Sequence, residues 1–150
     1  MDQNCAYCME GELVAQFGIK ICELPSSKVY LFKEQSHKGR VIVAHKKHVS
    51  EITELTAEER AAYIEDINHV AEALHKAFHP QKVNYGAYGD TGHHLHFRPV
   101  STPLLFQRPV SRYIKQGQDK QERIDHYPPV PDHAPVFRFL ISHLPRFLLT

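Results

Sequence analysis

Between Ala57 and Phe78 apolar residues return every three or four positions: Ile64, Ile67, Ala71, Leu74 and Phe78. That is the period of a helix with one buried stripe. Thr56 and Glu59 stand in capping-box relation at its start, each able to bond the other's backbone amide, and Pro80 ends it. Other apolar runs are shorter. Val14 to Leu24 alternates in part and stops at Pro25-Ser26-Ser27, Lys28 to Phe32 follows, and Arg40 to Ala44 comes after a polar stretch. These three read as strands of an antiparallel meander. Lys82 to Tyr88 and His93 to Phe97 read as two more, joined by Gly89-Asp90-Thr91-Gly92. The pattern predicts an α+β fold, an antiparallel sheet with one long helix across a face.

The pattern fails after Phe97. Eight of the ten prolines and six of the eight arginines lie in residues 98–150. Ten basic and thirteen acidic residues precede that point; eight basic and four acidic follow it. Runs such as Tyr127-Pro128-Pro129-Val130-Pro131 suit neither a helix nor a central strand. The expectation is a compact domain over 1–97 and an irregular Pro/Arg-rich tail over 98–150, joined in mid-strand. So abrupt a change suggests a shifted reading frame, a foreign segment or a disordered tail.

A chain of 150 residues suits one domain with a real core. A net charge of +1 and the lack of a dense basic patch point away from nucleic acid. The acidic start MDQNCAYCMEGEL does not read as a secretory signal, and no apolar run reaches the roughly 18 residues of a membrane span. Three cysteines (Cys5, Cys8 and Cys22) point to a reducing cytoplasm and away from a disulfide framework.

The candidate chemistry sits in GHHLHFRPVST, Gly92 to Thr102. On a strand His94 and His96 share one face, roughly 6.5–7 Å apart, while Leu95 and Phe97 face a core. A neutral imidazole is a nucleophile near pH 7, and the nearby Gly86, Gly89 and Gly92 let backbone amides approach a phosphate. With twelve histidines in the chain, surface histidines on an edge strand are the plainer reading of spacing alone. Cys5-Ala6-Tyr7-Cys8 offers two thiolates to a Zn²⁺ ion that wants about four ligands, or is a reduced pair in a mobile N-terminus. It does not open a helix after a strand, as a thioredoxin-like redox pair would.

Taken in order, Cys5 and Cys8, the segment Gly39 to His48, the capped helix, Asn84 with its glycines, and His94-Leu95-His96-Phe97 resemble the histidine triad (HIT) family of nucleotide hydrolases and transferases. The resemblance covers residues 1–97. It implies that His96 attacks the α-phosphate of a nucleotide to give a nucleotidyl-histidine, with His94 organising the site. It further implies that Asn84 and the Thr91-Gly92 turn contact phosphate and ribose, and that Phe32 lies near the base or ribose, with Glu34 as a replacement for the ribose-binding acid. It implies a structural zinc held by Cys5, Cys8, His48 and His94, and a homodimer. The family pattern is His-φ-His-φ-His-φ-φ, with φ apolar; here Arg98 replaces the third histidine. A guanidinium holds phosphate but is no acid near neutral pH. Pro99 then removes a ladder donor. A non-catalytic nucleotide- or zinc-binding module on the same scaffold is the alternative function. A His-x-His metallohydrolase is disfavoured, because the following Asp-His is lacking.

Overall fold

The computed structural model describes residues 4–89 and 92–102. Two short helices open the chain, α1 (Ala6–Met9) and α2 (Gly11–Ala15), with the link turned by Glu10 and Gly11 at φ of 54° and 59°. Strands β1 (Gly18–Glu23), β2 (Ser27–Phe32) and β3 (Val41–His45) follow. Then come the long helix α3 (Ala57–Phe78) and strands β4 (Lys82–Gly86) and β5 (His96–Thr102). The strands form one antiparallel sheet in the order β1-β2-β3-β5-β4. The expected sheet with a long helix on one face is the observed fold.

α3 has the boundaries its sequence predicts. Thr56 Oγ1 accepts from the Glu59 amide at 3.2 Å, and the Glu59 carboxylate accepts from the Thr56 amide at 2.9 Å. At the other end the helix closes on His79 in the left-handed region. The stripe is rotated from the predicted one. Ile64 is 48% exposed, whereas Tyr63, Ile67, Val70, Ala71 and Leu74 are buried. Tyr63 outcompetes Ile64 for the interior because its hydroxyl reaches the Val43 carbonyl at 2.7 Å, so its polar end is satisfied in the core.

Side chains alternate along the strands, apart from a register shift between Lys20 and Cys22 in β1, so the sheet has two distinct faces. Val29, Leu31, Val41, Val43, Val83 and Leu95 pack with α3. Tyr30, Ile42 and Ala44 lie on the opposite face, beneath Tyr7 and Val14 of the N-terminal helices. Pairing of Ala44 with His96 and of Gly86 with Arg98 puts His96 and Arg98 on that opposite face too.

Three element boundaries differ from expectation. The run beginning at Val14 starts in a helix: Val14 lies in α2, buried against the second face, and the strand begins at Gly18. Gly18 suits the close approach there, because a Cβ would lie 3.3 Å from Tyr30 Cβ. The fourth strand stops at Gly86 rather than Tyr88. The fifth begins at His96 rather than His93 and runs through Pro99 to Thr102. Pro99 is tolerated for a directional reason. The Leu95 carbonyl accepts from the His45 amide at 3.0 Å, so odd-numbered backbone groups of β5 face β3. The registered β3 ladder ends at Phe97. The amide that Pro99 lacks therefore faces Val41, the first residue of β3, beyond the last registered pair, while the pairing of β5 with β4 continues to Thr102. The predicted tail beyond that residue lies outside the described residues.

Candidate active site and metal centre

Two constellations sit side by side on the face opposite α3. The first joins four residues from three parts of the chain: Cys5 and Cys8 at α1, His48 in the loop after β3, and His94 just before β5. One ligand atom from each lies within 4.8 Å of every other. His94 Nδ1 is 3.2 Å from Cys5 Sγ, 3.6 Å from Cys8 Sγ and 3.2 Å from His48 Nδ1, and Cys8 Sγ is 3.2 Å from His48 Nδ1.

The His94 tautomer can be deduced. Its Nε2 lies 2.7 Å from the His45 carbonyl, which only accepts, so Nε2 carries the hydrogen and Nδ1 the lone pair. Burial holds the ring below the ordinary histidine range, against the opposing pull of that carbonyl, which favours the neutral ligand form. A lone pair thus converges with two sulfurs and a second imidazole nitrogen, an arrangement that favours a shared cation. Ligand bonds of roughly 2.0–2.3 Å make a tetrahedron with edges of roughly 3.3–3.8 Å, close to the spacings observed. The second ring nitrogen bound to a backbone carbonyl is the usual outer support of a metal-bound histidine. These four residues can hold a metal ion.

The second constellation begins at His96. Its Nδ1 is 2.8 Å from the His94 carbonyl and so must donate, which makes Nε2 the lone-pair nitrogen. His96 is buried, 4% exposed. Tyr7 covers it: the Tyr7 ring is 5.2 Å from the His96 ring and 5.1 Å from that of His94. Two residues along β5, the Arg98 guanidinium lies near enough to the Tyr7 hydroxyl for its charge to act on it. Burial pushes the Tyr7 phenol up, and the Arg98 charge works against that. Arg98 also stands over the Phe32 ring at 5.7 Å, and Arg40 stands over the same ring at 4.7 Å. Glu34 forms an ion pair with Arg40.

Most residues singled out in the sequence are therefore gathered here. Cys5, Cys8, His48 and His94 converge, His96 adjoins them, and Arg98 and Phe32 lie beyond it on the same face. Asn84 belongs to that face by register, since it pairs with Val100 beside the Gly86–Arg98 pair, and it is exposed. Gly92 is exposed and its carbonyl accepts from the His94 amide at 2.8 Å. Thr91 lies outside the described residues. Cys22 takes no part; it is half-buried in β1, and burial pushes its thiol up to about 11. Sequence reasoning missed Tyr7, Arg40 and the carbonyl of His45. Tyr7 had one available signal, its place between two cysteines that share a ligand site.

The profile of the HIT domain matches residues 19–101, more than half of the chain. The chain belongs to the HIT family. Solved HIT structures share its fold. A histidine triad protein from Sinorhizobium meliloti is 23% identical with a TM-score of 0.67, over 89% of this chain and 95% of that one. A zinc-bound histidine triad family protein from Mycobacterium smegmatis is 20% identical with a TM-score of 0.63, over 93% and 92%. A hypothetical histidine triad nucleotide-binding protein from Sulfolobus tokodaii is 16% identical with a TM-score of 0.60, over 93% and 89%. No match was found among curated proteins. No helix among the described residues of this HIT protein is long and apolar enough to cross a membrane.

Proposed function

We propose that this HIT protein is a nucleotide phosphohydrolase or nucleotidyl transferase in which His96 is the nucleophile. The observation that carries the reading is the His96 ring, whose Nδ1–H is committed to the His94 carbonyl so that Nε2 bears the lone pair. Nε2 attacks the α-phosphate and the leaving group departs. Water or another acceptor then releases the nucleotide from the histidine. Arg98 binds the phosphate oxygens, where a guanidinium offers two parallel donors. Asn84 and the Thr91-Gly92 turn bind phosphate and ribose, Phe32 lies against the base or ribose, and His94 holds the strand entrance in place.

The metal is zinc, held by Cys5, Cys8, His48 and His94. When bound it cross-links the N-terminal helix to the sheet and takes no part in bond breaking. The zinc-bound relative and the two-sulfur, two-imidazole donor set support that choice. The working protein is a cytoplasmic homodimer. Residues 1–97 supply the nucleotide-binding unit and residues 98–102 complete it as the rest of β5. The remainder of the 98–150 segment, outside the described residues, is a stretch of altered reading frame. Sequencing the coding DNA across codon 98 tests the frame. A second reading, a binding module without turnover, draws on Tyr7, which covers His96 and must move before a phosphate can reach it.

The test is incubation with labelled nucleotide substrates, wild type against His96→Ala, with acid-labile adducts trapped on the protein. An adduct that forms on wild type and vanishes with His96→Ala supports the nucleophile. Turnover that survives the substitution removes His96 from that role, and binding without turnover in wild type selects the second reading.

A further inference from the structure

His45 closes β3 between the two imidazoles of the metal centre, and its bonds lead toward both. Its amide donates to the Leu95 carbonyl at 3.0 Å, and its carbonyl accepts from His94 Nε2 at 2.7 Å. Its ring turns to the α3 side of the sheet, in step with Val43. There it is buried, 5% exposed, and stands edge-on to the Tyr63 ring at 4.9 Å. Nδ1 accepts from the Lys47 amide at 3.0 Å. The Lys47 carbonyl also lies 3.3 Å from Nδ1, but the amide is nearer and its hydrogen takes the lone pair, so the ring's own hydrogen is on Nε2. A side-chain acceptor bonded to the amide two residues on is the device by which Asn and Asp fix tight turns. Here an imidazole does it, and the turn it fixes delivers His48. The Lys46 amide, donating to the Ser26 carbonyl at 2.9 Å, pins the same turn from the link between β1 and β2. An apolar residue would pack on Tyr63 equally well. A polar ring costs stability in a core unless it is bonded, so the bond to Lys47 is what histidine adds at this position.

We propose that His45 is the positioning residue of the metal centre. Its ring presets the turn that delivers His48, and its carbonyl orients His94, so both imidazoles stand in place before an ion arrives. This rests on the metal reading of Cys5, Cys8, His48 and His94. An ion that must first order its ligands binds more weakly by the cost of that ordering. The carbonyl is present whatever the side chain at position 45, so substitution isolates the ring. Asn places Oδ1 as many bonds from Cβ as His places Nδ1, and so keeps the acceptor while giving up the contact with Tyr63. Phe keeps a ring against Tyr63 and has no acceptor. The two variants separate positioning from packing.

The experiment measures the zinc dissociation constant by competition with a chromophoric chelator, under reducing conditions, and the melting midpoint of the metal-free protein. It is run on the full chain as wild type, His45→Phe, His45→Asn, His45→Gln and Cys8→Ser. His45→Phe is expected to weaken zinc binding by about 10–100-fold, the usual worth of an outer support of a metal ligand, with a metal-free midpoint near that of wild type. His45→Asn is expected to bind within a few-fold of wild type although its metal-free midpoint falls. His45→Gln sets its acceptor one bond further out, misses the Lys47 amide and weakens binding as His45→Phe does, so it carries the test where the Phe variant does not fold. Acceptor-free variants that bind within a few-fold of wild type, or His45→Asn as weak as they are, overturn the proposal and leave the metal site standing. Wild type that takes up no zinc, or Cys8→Ser that binds as tightly as wild type, brings down the metal reading and this proposal with it.

Discussion

Removing the metal should release the N-terminal helix from the sheet, and the size of the effect can be set from the site. Four ligand atoms already stand at 3.2–3.6 Å in the pairs measured. Zinc can therefore enter with little rearrangement, and its binding energy passes almost wholly into stability. At free zinc about 100 times its dissociation constant, the gain is about 2.7 kcal/mol. In a domain of this size 1 kcal/mol moves the melting midpoint by roughly 4–8 °C, so the expected rise is roughly 10–20 °C. The assay is circular dichroism melting of metal-stripped protein, without zinc and with free zinc buffered at about 100 times its dissociation constant, under reducing conditions. Cys8→Ser is the control: it replaces a thiolate with a hydroxyl, a far poorer zinc ligand, and should forfeit most of the rise. Midpoints that agree within about 2 °C with and without zinc would refute the reasoning, since a site that binds only the native state must stabilise it. A rise that survives in Cys8→Ser would place the metal elsewhere.

Three further outcomes follow from the core. Tyr63→Phe removes the bond to the Val43 carbonyl inside a well-packed interior and should cost about 1 kcal/mol in urea denaturation; no measurable loss would mean that the carbonyl is satisfied elsewhere. Gly39 sits at φ 81°, and a Cβ there would lie 2.7 Å from the Phe78 ring. Gly39→Ala should therefore lose at least about 1–2 kcal/mol, checked in the same way. Asp66 is buried, accepting from the Ser26 amide at 2.9 Å and the Ser27 hydroxyl at 2.8 Å, and burial raises its carboxyl despite those two bonds. A raised folded pKa means that the native state keeps this proton after the unfolded chain has lost it. The contribution of Asp66 to stability is thus greatest below about pH 3.9 and declines as pH rises through the folded value. Asp66→Asn should remove that decline from a stability-against-pH series begun at about pH 4, and an unchanged series would contradict the assignment.

What could be read in advance was decided locally. α3 is bounded by a capping box and a proline, and β2 and β3 are short apolar runs between polar turns, so near neighbours fix them. α1 and α2 are too short to hold themselves. They exist because Tyr7 rests on two histidine rings and Val14 packs beneath, contacts set by distant strands. Ile64 and Tyr63 are one position apart, and a hydroxyl bond across the core chose between them. Pro99 looked like the end of a strand because its missing amide has a direction that only the neighbouring strand reveals. The histidine row was legible as alternate residues. The lone-pair nitrogens were not, because they depend on the carbonyls of His45 and His94.

The metal cluster also bears on the order in which the chain is made. Cys5 meets His94 across 89 residues, and Cys8 meets His48 across 40. Contacts so distant in sequence form late, after the loop between them has been closed. During synthesis the meander and α3 can assemble while both thiols wait, with His48 alone as a fixed partner. Residue 94 completes the four-ligand set, and the segment that emerged first becomes the last to dock. Any step that delays β5 therefore lengthens the time for which Cys5 and Cys8 stand open to oxidation.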